Sequence, residues 1–140
     1  MTLPSYPPEL PRPNRDGYRV ARGDGRTIGR TDAGPPPRRR RFSAVPKTVS
    51  FSTDLSLSQK ARFDRFYEED TAEGALPFLM PDPATHGTPL LTAGGTPLLT
   101  ASGTPLLISR IWLCQFGDQL PTETPRGVEW RVSFTLLVLP

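Results

Sequence analysis

The chain has 140 residues, a formal net charge of +3 and a hydrophobic fraction of 36%, with 18 prolines and 12 glycines. This length fits one domain, and the low hydrophobic fraction predicts a small core with much irregular extended structure. Because no window of about eighteen apolar residues exists, we expect no membrane span. The single cysteine, Cys114, excludes an internal disulfide bond.

Positive charge is concentrated near the N-terminus. Residues 1–47 hold eleven arginines and lysines against four acidic residues, whereas residues 48–140 hold six basic against ten acidic residues. The first part therefore carries a net charge of +7 and the second a net charge of −4. A basic segment on an acidic body predicts either a nucleic-acid contact or docking onto a neighbour that is built in the same way.

Residues 1–37 show almost no apolar periodicity. Five prolines occur within the first thirteen residues, and proline does not enter a helix interior or a central strand. We therefore predict an extended arm over residues 1–37, partly of polyproline II type, and a single β-rich domain over residues 38–140. The arm is expected to contribute little to the fold of the domain and much to its contacts with other molecules.

A run of four arginines follows the arm, and it has two interpretations: Arg38, Arg39, Arg40 and Arg41. The run could bind phosphate groups, or it could be a solvated or interface-facing segment at the start of a strand. The absence of interleaved aromatic residues favours the second interpretation. If the face that holds Phe42 packs inward, Arg39 and Arg41 project to the other side, where we expect carboxylates of a neighbouring subunit.

A strand and a helix are predicted next. Residues 42–53 alternate in polarity, and one face would hold Val45, Lys47, Val49 and Phe51. The helix is expected from Leu57 to about Asp70, because Ser56 and Gln59 fit a capping box and no glycine or proline intervenes. Its apolar stripe, which we expect to pack on the core, consists of Phe63, Phe66 and Tyr67.

An internal repeat of period eight lies between residues 86 and 109. The copies are residues 86–93, 94–101 and 102–109, and each contains Gly-Thr-Pro-Leu-Leu. Because eight residues are few for a supersecondary unit and three copies are few for a solenoid, we predict an insertion at residues 86–105. The first two copies would form a loop, and the third would lead into a strand. Exposed leucine pairs would be a liability on a free monomer, so the candidate partner contacts are Leu90, Leu91, Leu98 and Leu99.

Two strands are predicted in the C-terminal part. Residues 108–116 form one strand-like run, and residues 130–138 alternate clearly between apolar and polar positions. Residues 117–127 contain two prolines and two glycines, so a loop of about ten residues should join the strands. The core is expected to bury Trp112, Trp130, Phe134 and Phe66 together, with the helix lying across the terminal strands.

Candidate catalytic residues are scarce. The only histidine, His86, lies in a glycine-rich segment, which disfavours Ser/His or Cys/His catalysis. No cluster of histidines and cysteines has the spacing of a zinc site. We therefore expect no enzyme, no catalytic or metal-binding residue and no cofactor.

Several short motifs follow one another in a characteristic order. They are Asp16-Gly17-Tyr18 after a proline-rich start, Asp32-Ala33-Gly34-Pro35, the arginine run into Phe42, Leu57-Ser58-Gln59 leading to Phe63-Asp64-Arg65-Phe66-Tyr67, Gly74-Ala75-Leu76-Pro77-Phe78 before Pro81-Asp82-Pro83, and Val128-Glu129-Trp130-Arg131-Val132-Ser133-Phe134. In this order the chain resembles the small minor tail proteins of long-tailed bacteriophages and prophages. It is also distantly similar to the minor tail protein M of lambda-type phages. The resemblance covers most of the chain, and the eight-residue repeat departs from it.

The resemblance implies a fold, a location and a set of partners. The fold would be mainly β, a sandwich or split barrel of antiparallel strands with one helix and a long extended N-terminal arm. The protein would be a non-enzymatic component of the virion that forms a ring, expected to be a homohexamer, at the distal end of the tail tube. Its partners would be the tail tube protein, the tail hub and tip proteins and the tape-measure protein, with assembly in the host cytoplasm. The alternative function is a basic nucleic-acid-binding protein that uses Arg38–Arg41.

Overall fold

A strand near the C-terminus lies at the centre of the fold in the computed structural model, which describes residues 3–140. The elements in chain order are β1 (Arg19–Arg22), β2 (Arg26–Ile28), β3 (Arg38–Arg40), β4 (Lys47–Leu55), α1 (Leu57–Arg65) with a π-helical turn at Phe66–Asp70, β5 (Phe78–Pro81), β6 (Ile111–Phe116), β7 (Thr122–Arg126) and β8 (Glu129–Val138). Six strands form one antiparallel sheet in the order β1-β4-β8-β6-β5, and β7 also pairs with β8. Strands β2 and β3 form a separate hairpin. The predicted fold class, mainly β with antiparallel strands and one helix, is confirmed.

The pairing of β4 with β8 holds the core together. The two strands pair along nine positions, from Lys47 opposite Val138 to Leu55 opposite Trp130. Alternate residues of both strands point to one face, and the side chains buried there are Val49, Phe51, Leu55, Val132, Phe134 and Leu136. This alternation was the signal that predicted both strands.

Helix α1 covers this face of the sheet. It begins at the predicted capping box, in which the Ser56 hydroxyl accepts a hydrogen bond from the Gln59 N–H at 3.4 Å and the Gln59 side chain accepts one from the Ser56 N–H at 3.0 Å. Phe63 and Phe66 are buried as predicted, and the ring centroid of Phe63 lies 5.5 Å from that of Phe134. Edge and tilted aromatic contacts of this kind stabilise the core beyond their buried area.

The two tryptophans lie outside the fully buried core. Trp112 and Trp130 are only partly buried, so the expectation that they are buried together with Phe134 and Phe66 is wrong for the tryptophans and right for the phenylalanines. Each tryptophan is the second residue of its strand. At these strand ends the sheet is incompletely covered, and a large ring that faces the core side there retains contact with solvent.

The predicted loop over residues 117–127 contains a strand. Thr122–Arg126 forms β7, which pairs with β8 through a two-residue turn at Gly127 and Val128. Gly127 has a φ of +64°, and glycine at the first turn position is the signature of a type II′ hairpin. The sequence analysis predicted a loop here because Pro125 argues against a central strand. Proline is compatible with β7 because β7 pairs only with β8 and is therefore an edge strand.

Part of the predicted N-terminal arm belongs to the domain. Tyr6 and Leu10 are buried in the core, and the Tyr6 N–H donates to the carbonyl oxygen of Leu79 at 2.8 Å. Strand β1 pairs with β4 at the edge of the sheet. The structure thus differs from the expectation that residues 1–37 contribute little to the fold. Prolines exclude a segment from helices and central strands, but the side chains between them remain able to fill a core.

Candidate functional site

The arginine run lies on a hairpin that is separate from the main sheet. In this hairpin Arg26 lies opposite Arg40, and Ile28 lies opposite Arg38. Its base is attached to the strand region by two glycines. A Cβ atom on Gly23 would lie 2.6 Å from the Pro46 carbonyl oxygen, and one on Gly25 would lie 2.5 Å from the Val45 side chain. A side chain at Gly23 would overlap the backbone of Pro46, and one at Gly25 would overlap the Val45 side chain, so glycine lets the hairpin lie close to residues 45 and 46.

A groove of about 530 Å³ lies between this hairpin and the edge of the sheet. We call it the basic groove, because six basic side chains line it: Arg22, Arg26, Arg38, Arg39, Arg40 and Lys47. No acidic side chain of the described residues lines it. Of these six residues, the sequence analysis singled out Arg38, Arg39 and Arg40, which belong to the predicted run Arg38–Arg41. The fold adds Arg22 from the end of β1, Arg26 from β2 and Lys47 from the start of β4.

One of these arginines is neutralised by a local ion pair. Arg26 Nε lies 2.9 Å from Asp24 Oδ1, and Arg26 Nη2 lies 3.3 Å from Asp24 Oδ2. The hydrogen bonds from Arg26 lower the pKa of the Asp24 carboxyl to about 2. Arg38 and Arg39 form no salt bridge with another described residue. The groove therefore presents positive charge that the protein itself does not compensate.

The fourth arginine of the run lies outside the basic groove. The guanidinium carbon of Arg41 lies 5.1 Å from the ring centroid of Phe42, in a cation–π contact. Phe42 is 51% exposed, so it does not pack inward. The assumption that placed Arg39 and Arg41 on one shared face is therefore not met. Arg39 instead lines the groove together with its neighbours Arg38 and Arg40.

A second cavity, of about 370 Å³, lies at the same end of the sheet. Its lining includes Lys47, Asp82 and Arg110. The Asp82 carboxylate accepts hydrogen bonds from the Ala84 N–H at 2.9 Å and the Thr85 hydroxyl at 2.8 Å, and Arg110 Nε lies 3.6 Å from it. These contacts give Asp82 a structural role in the turn after β5 and leave little capacity for a ligand.

The three repeat copies close into a ring of hydrogen bonds. The N–H groups of Leu90, Leu98 and Leu106 donate to the carbonyl oxygens of Leu106, Leu90 and Leu98, respectively, at 2.8–2.9 Å. Three isolated strand bridges within the repeat show the same period: Pro89 with Leu107, Leu91 with Pro97, and Leu99 with Pro105. We call residues 87–108 the repeat unit. Its three copies are related by a pseudo-threefold arrangement.

The corners of the repeat unit are equivalent as well. One backbone hydrogen bond of 2.8 Å closes each corner: Thr92 to Thr96, Thr100 to Thr104, and Ile108 to Thr88. At the first two corners the chain turns from one copy into the next. At the third corner the chain arrives from β5 and leaves toward β6. Gly87, Gly95 and Gly103 have φ values of +80°, +83° and +84°, which glycine adopts without strain.

The predicted insertion loop is therefore an ordered unit. Three copies suffice because each copy forms hydrogen bonds with the other two, so the ring closes without an end repeat. Every residue from 89 to 107 is exposed, including the four leucines predicted to contact a partner, Leu90, Leu91, Leu98 and Leu99. Their contact with a partner stays a prediction.

The groups with possible chemical reactivity are held in structural contacts. His86 Nδ1 accepts a hydrogen bond from the Arg110 backbone N–H at 3.0 Å, and Arg12 donates to the His86 carbonyl oxygen at 2.7 Å. Burial raises the pKa of the Cys114 thiol to about 12, so it is not a nucleophile at neutral pH. Among residues 3–140 no group of three acidic, histidine or cysteine side chains could hold a metal ion. Within the same residues no helix is long and apolar enough to cross a membrane.

Comparison with known proteins assigns no family to this chain. No protein-family model matches the sequence, and a search of curated proteins finds no significant match. The function is therefore proposed from the basic groove, from the repeat unit and from the order of motifs along the chain.

Proposed function

We propose that the protein is a structural minor tail protein of a long-tailed bacteriophage. It would form a ring, expected to be sixfold, at the distal end of the tail tube and would join the tube to the tail tip. The order of motifs described above supports this proposal. So does the mainly β fold with one helix, which is the fold that the resemblance implies.

The observation that carries the proposal is a pair of complementary charged surfaces on one chain. The first is the basic groove. The second is an acidic surface at the end of the helical segment. It consists of four exposed acidic residues that are close together in the sequence: Glu68, Glu69, Asp70 and Glu73. When two different surfaces of one chain complement each other, copies associate head to tail, and such contacts close into a ring when the rotation allows.

Charge complementarity predicts how this contact behaves. A charge pair at the rim of an interface contributes little to the binding free energy. Removing one partner of a desolvated, hydrogen-bonded pair can cost about 2–5 kcal/mol of binding free energy. The groove arginines that lack an ion pair within the described chain are well suited to such a contact. Salt screens exposed charges, so the association should weaken as ionic strength rises.

The proposal is tested by light scattering coupled to size-exclusion chromatography. The purified protein should contain a ring-sized species at low salt, and Arg38→Gln/Arg39→Gln/Arg40→Gln should reduce it. A matched control, Arg15→Gln/Arg19→Gln/Arg30→Gln, removes the same charge from exposed positions outside the groove and should leave it intact.

A charge exchange makes the test specific for the two surfaces. Arg39→Glu alone should block assembly, and Glu69→Arg in the same chain should restore part of it. A protein that stays monomeric in solution, and that images of phage particles do not place in the tail, would contradict the proposal.

The second candidate function is nucleic-acid binding, which the basic groove specifically favours. Several cations along one groove neutralise phosphates, and such binding falls steeply with salt. A DNA titration at low salt distinguishes the two functions. Tight binding that the triple glutamine variant loses while assembly is unchanged would favour nucleic acid over the ring contact.

A further inference from the structure

The cavity of about 370 Å³ at the end of the sheet adjoins the basic groove. The side chains of Val45 and Lys47 line both of them. Lys47 on β4 pairs with Arg22 of β1, which lines the groove, and with Val138 of β8, which lines the cavity. The groove and the cavity therefore lie next to each other, with Lys47 between them.

Two partly buried aromatic side chains line this cavity, Tyr18 and Trp112, and we call it the aromatic cavity. The Tyr18 ring stacks on that of Phe51 at a centroid distance of 6.2 Å, which holds it from the core side. Much of the remaining lining is aliphatic and includes Val20 and Val138. The volume lies within the range of small-molecule sites, about 300–1,000 Å³. The cavity can thus accommodate a flat aromatic ring.

The basic groove requires an occupant with several negative charges. Of its six basic side chains, only Arg26 forms a salt bridge with another described residue. The Arg40 guanidinium donates to the carbonyl oxygens of Phe42 and Ser43, at 3.1 and 2.7 Å, and these oxygens orient it without neutralising its charge. The other five cations therefore remain available to a ligand within one groove of about 530 Å³.

We propose that the basic groove and the aromatic cavity together bind a nucleotide, either free or within a single strand. Its phosphates lie in the groove, where arginine is the side chain best suited to phosphate oxygens. Its base lies in the cavity against Tyr18 and Trp112. A positively charged groove beside aromatic rings that stack on bases is the arrangement by which proteins bind single strands. The arginine run itself contains no interleaved aromatic residue, and the fold supplies two from β6 and from the residue before β1.

Two other polyanions fit this arrangement less well. A duplex keeps its bases paired and stacked inside, so its phosphates could enter the groove while the aromatic cavity stayed empty. An extended acidic peptide points successive side chains to opposite sides, so only every second carboxylate would face the groove. A nucleotide carries its negative charge in the phosphate chain itself, and the base is attached to that chain.

This inference specifies the second candidate function, on which it rests, and does not require the proposed ring. Both contacts would use the basic groove, but only the ring needs the acidic surface at the end of the helical segment. Glu69→Arg should therefore weaken assembly and leave nucleotide binding nearly unchanged. Duplex and single strand that bind equally would support nucleic-acid binding in general and contradict this inference.

Tryptophan fluorescence tests the position of the base. Trp130 lies at the opposite end of β8 from Val138, so Trp130→Phe leaves Trp112 as the one tryptophan and preserves the lining of the cavity. Titration of this variant with a short oligothymidylate at low salt should quench the fluorescence of Trp112, because a base stacks on its ring. An abasic strand of the same length should cause little quenching and should bind at least about fivefold more weakly.

Substitutions separate the contributions of the rings and of the charges. Trp112→Leu and Tyr18→Leu should each reduce the preference for the base-bearing strand, while the abasic strand binds as before, which also shows that each variant is folded. Arg39→Gln should weaken the binding of both strands and lower the salt dependence by about one counterion. Arg65→Gln, which removes an exposed arginine outside both surfaces, should change neither.

A nucleoside triphosphate distinguishes the two sources of the ligand. Binding tighter than that of the oligothymidylate would assign the site to a free nucleotide, and weaker binding would assign it to a single strand. Four results would overturn the inference. They are no binding of either ligand at low salt, an abasic strand that binds as tightly as oligothymidylate, a duplex that binds at least as tightly as the single strand, and a peptide of glutamates with one phenylalanine that binds more tightly than the strand.

Discussion

Asp54 and Arg131 lie directly opposite each other on β4 and β8, and their side chains form a two-pronged ion pair. Arg131 Nε lies 3.0 Å from Asp54 Oδ1, and Arg131 Nη2 lies 3.4 Å from Oδ2. Asn14 also donates to Asp54 Oδ2, at 3.1 Å. The pair therefore connects the two longest strands to the N-terminal segment on the side of the sheet away from the core.

The first prediction concerns the pH dependence of this pair. The hydrogen bond from Arg131 is the main reason that the pKa of the Asp54 carboxyl is lowered. A carboxyl whose folded pKa is lowered stabilises the protein above its unfolded pKa, about 3.9, and loses that contribution as pH falls through the folded value. Asp54→Asn should lower the free energy of unfolding at pH 7 by about 0.2–1 kcal/mol, the range for a cross-strand charge pair.

Urea denaturation at pH 7 and at pH 3 measures this effect. The difference between Asp54→Asn and the wild type should shrink at the lower pH. Asp118→Asn is a suitable control, because Asp118 is exposed and pairs with no other described residue. An equal difference at both pH values would show that charge is not the cause.

The second prediction concerns Lys60, which links helix α1 to the β7–β8 hairpin. Its Nζ lies 3.0 Å from Glu123 Oε2, 3.1 Å from Asp64 Oδ2 and 5.1 Å from the ring centroid of Trp130. Lys60→Ala should lower the free energy of unfolding by about 1–2 kcal/mol, because two partly exposed ion pairs and one cation–π contact are lost together. Lys60→Met should cost less, since its chain still packs on the tryptophan.

The same lysine should be sensitive to alkaline pH. The carboxylate of Glu123, and after it that of Asp64, raises the pKa of the Lys60 ammonium. A lysine with a raised folded pKa contributes its full stabilisation below the unfolded pKa, about 10.4, and loses it as pH rises through the folded value. The difference between wild type and Lys60→Met should therefore narrow above about pH 10. A constant difference would contradict the ion-pair explanation.

The third prediction ranks the large core residues. Phe134 is 1% exposed, and its ring contacts those of Phe51, Phe63 and Phe116 at centroid distances of 4.8, 5.5 and 5.5 Å. Phe134→Ala should cost about 3–5 kcal/mol, which includes the cavity that it leaves. Trp130→Ala should cost less, because part of its ring is already in solvent. A larger loss for Trp130 than for Phe134, measured by chemical denaturation, would contradict this core.

The fourth prediction concerns the N-terminal segment. The Tyr6 ring packs edge-on against Phe66 at a centroid distance of 5.8 Å, and its buried hydroxyl has no hydrogen-bond partner among the described residues. Tyr6→Phe should be neutral or should stabilise by about 1 kcal/mol, because it removes a buried polar group without a partner. Tyr6→Ala should cost about 3–5 kcal/mol.

Deletion of residues 1–15 complements these substitutions. It should unfold or strongly destabilise the protein, because Tyr6 and Leu10 are part of the core. A truncated protein with the thermal stability of the full chain would show that the segment is dispensable, as the sequence alone suggested.

Local sequence patterns were sufficient to predict an element when the residues of that element alone determine its type. The alternation along β8 and β4, the capping box at Ser56 and the spacing of Phe63 and Phe66 are all readable from neighbouring residues. Strand β7 was missed because Pro125 argues against a strand unless its edge position is known, and that position depends on the pairing with β8.

Contacts between distant residues determined the candidate functional surfaces. The sequence by itself determined the mainly β class, the helix, the basic character of β3 and the exposure of the repeat leucines, because each follows from residue type and short-range spacing. Only the tertiary structure brought Arg22 and Lys47 beside the arginines of β3, placed Tyr6 in the core and closed the three repeat copies into one ring. These arrangements depend on which distant segments contact each other. A sequence pattern with a period of two, of three to four or of eight residues contains no information about those contacts.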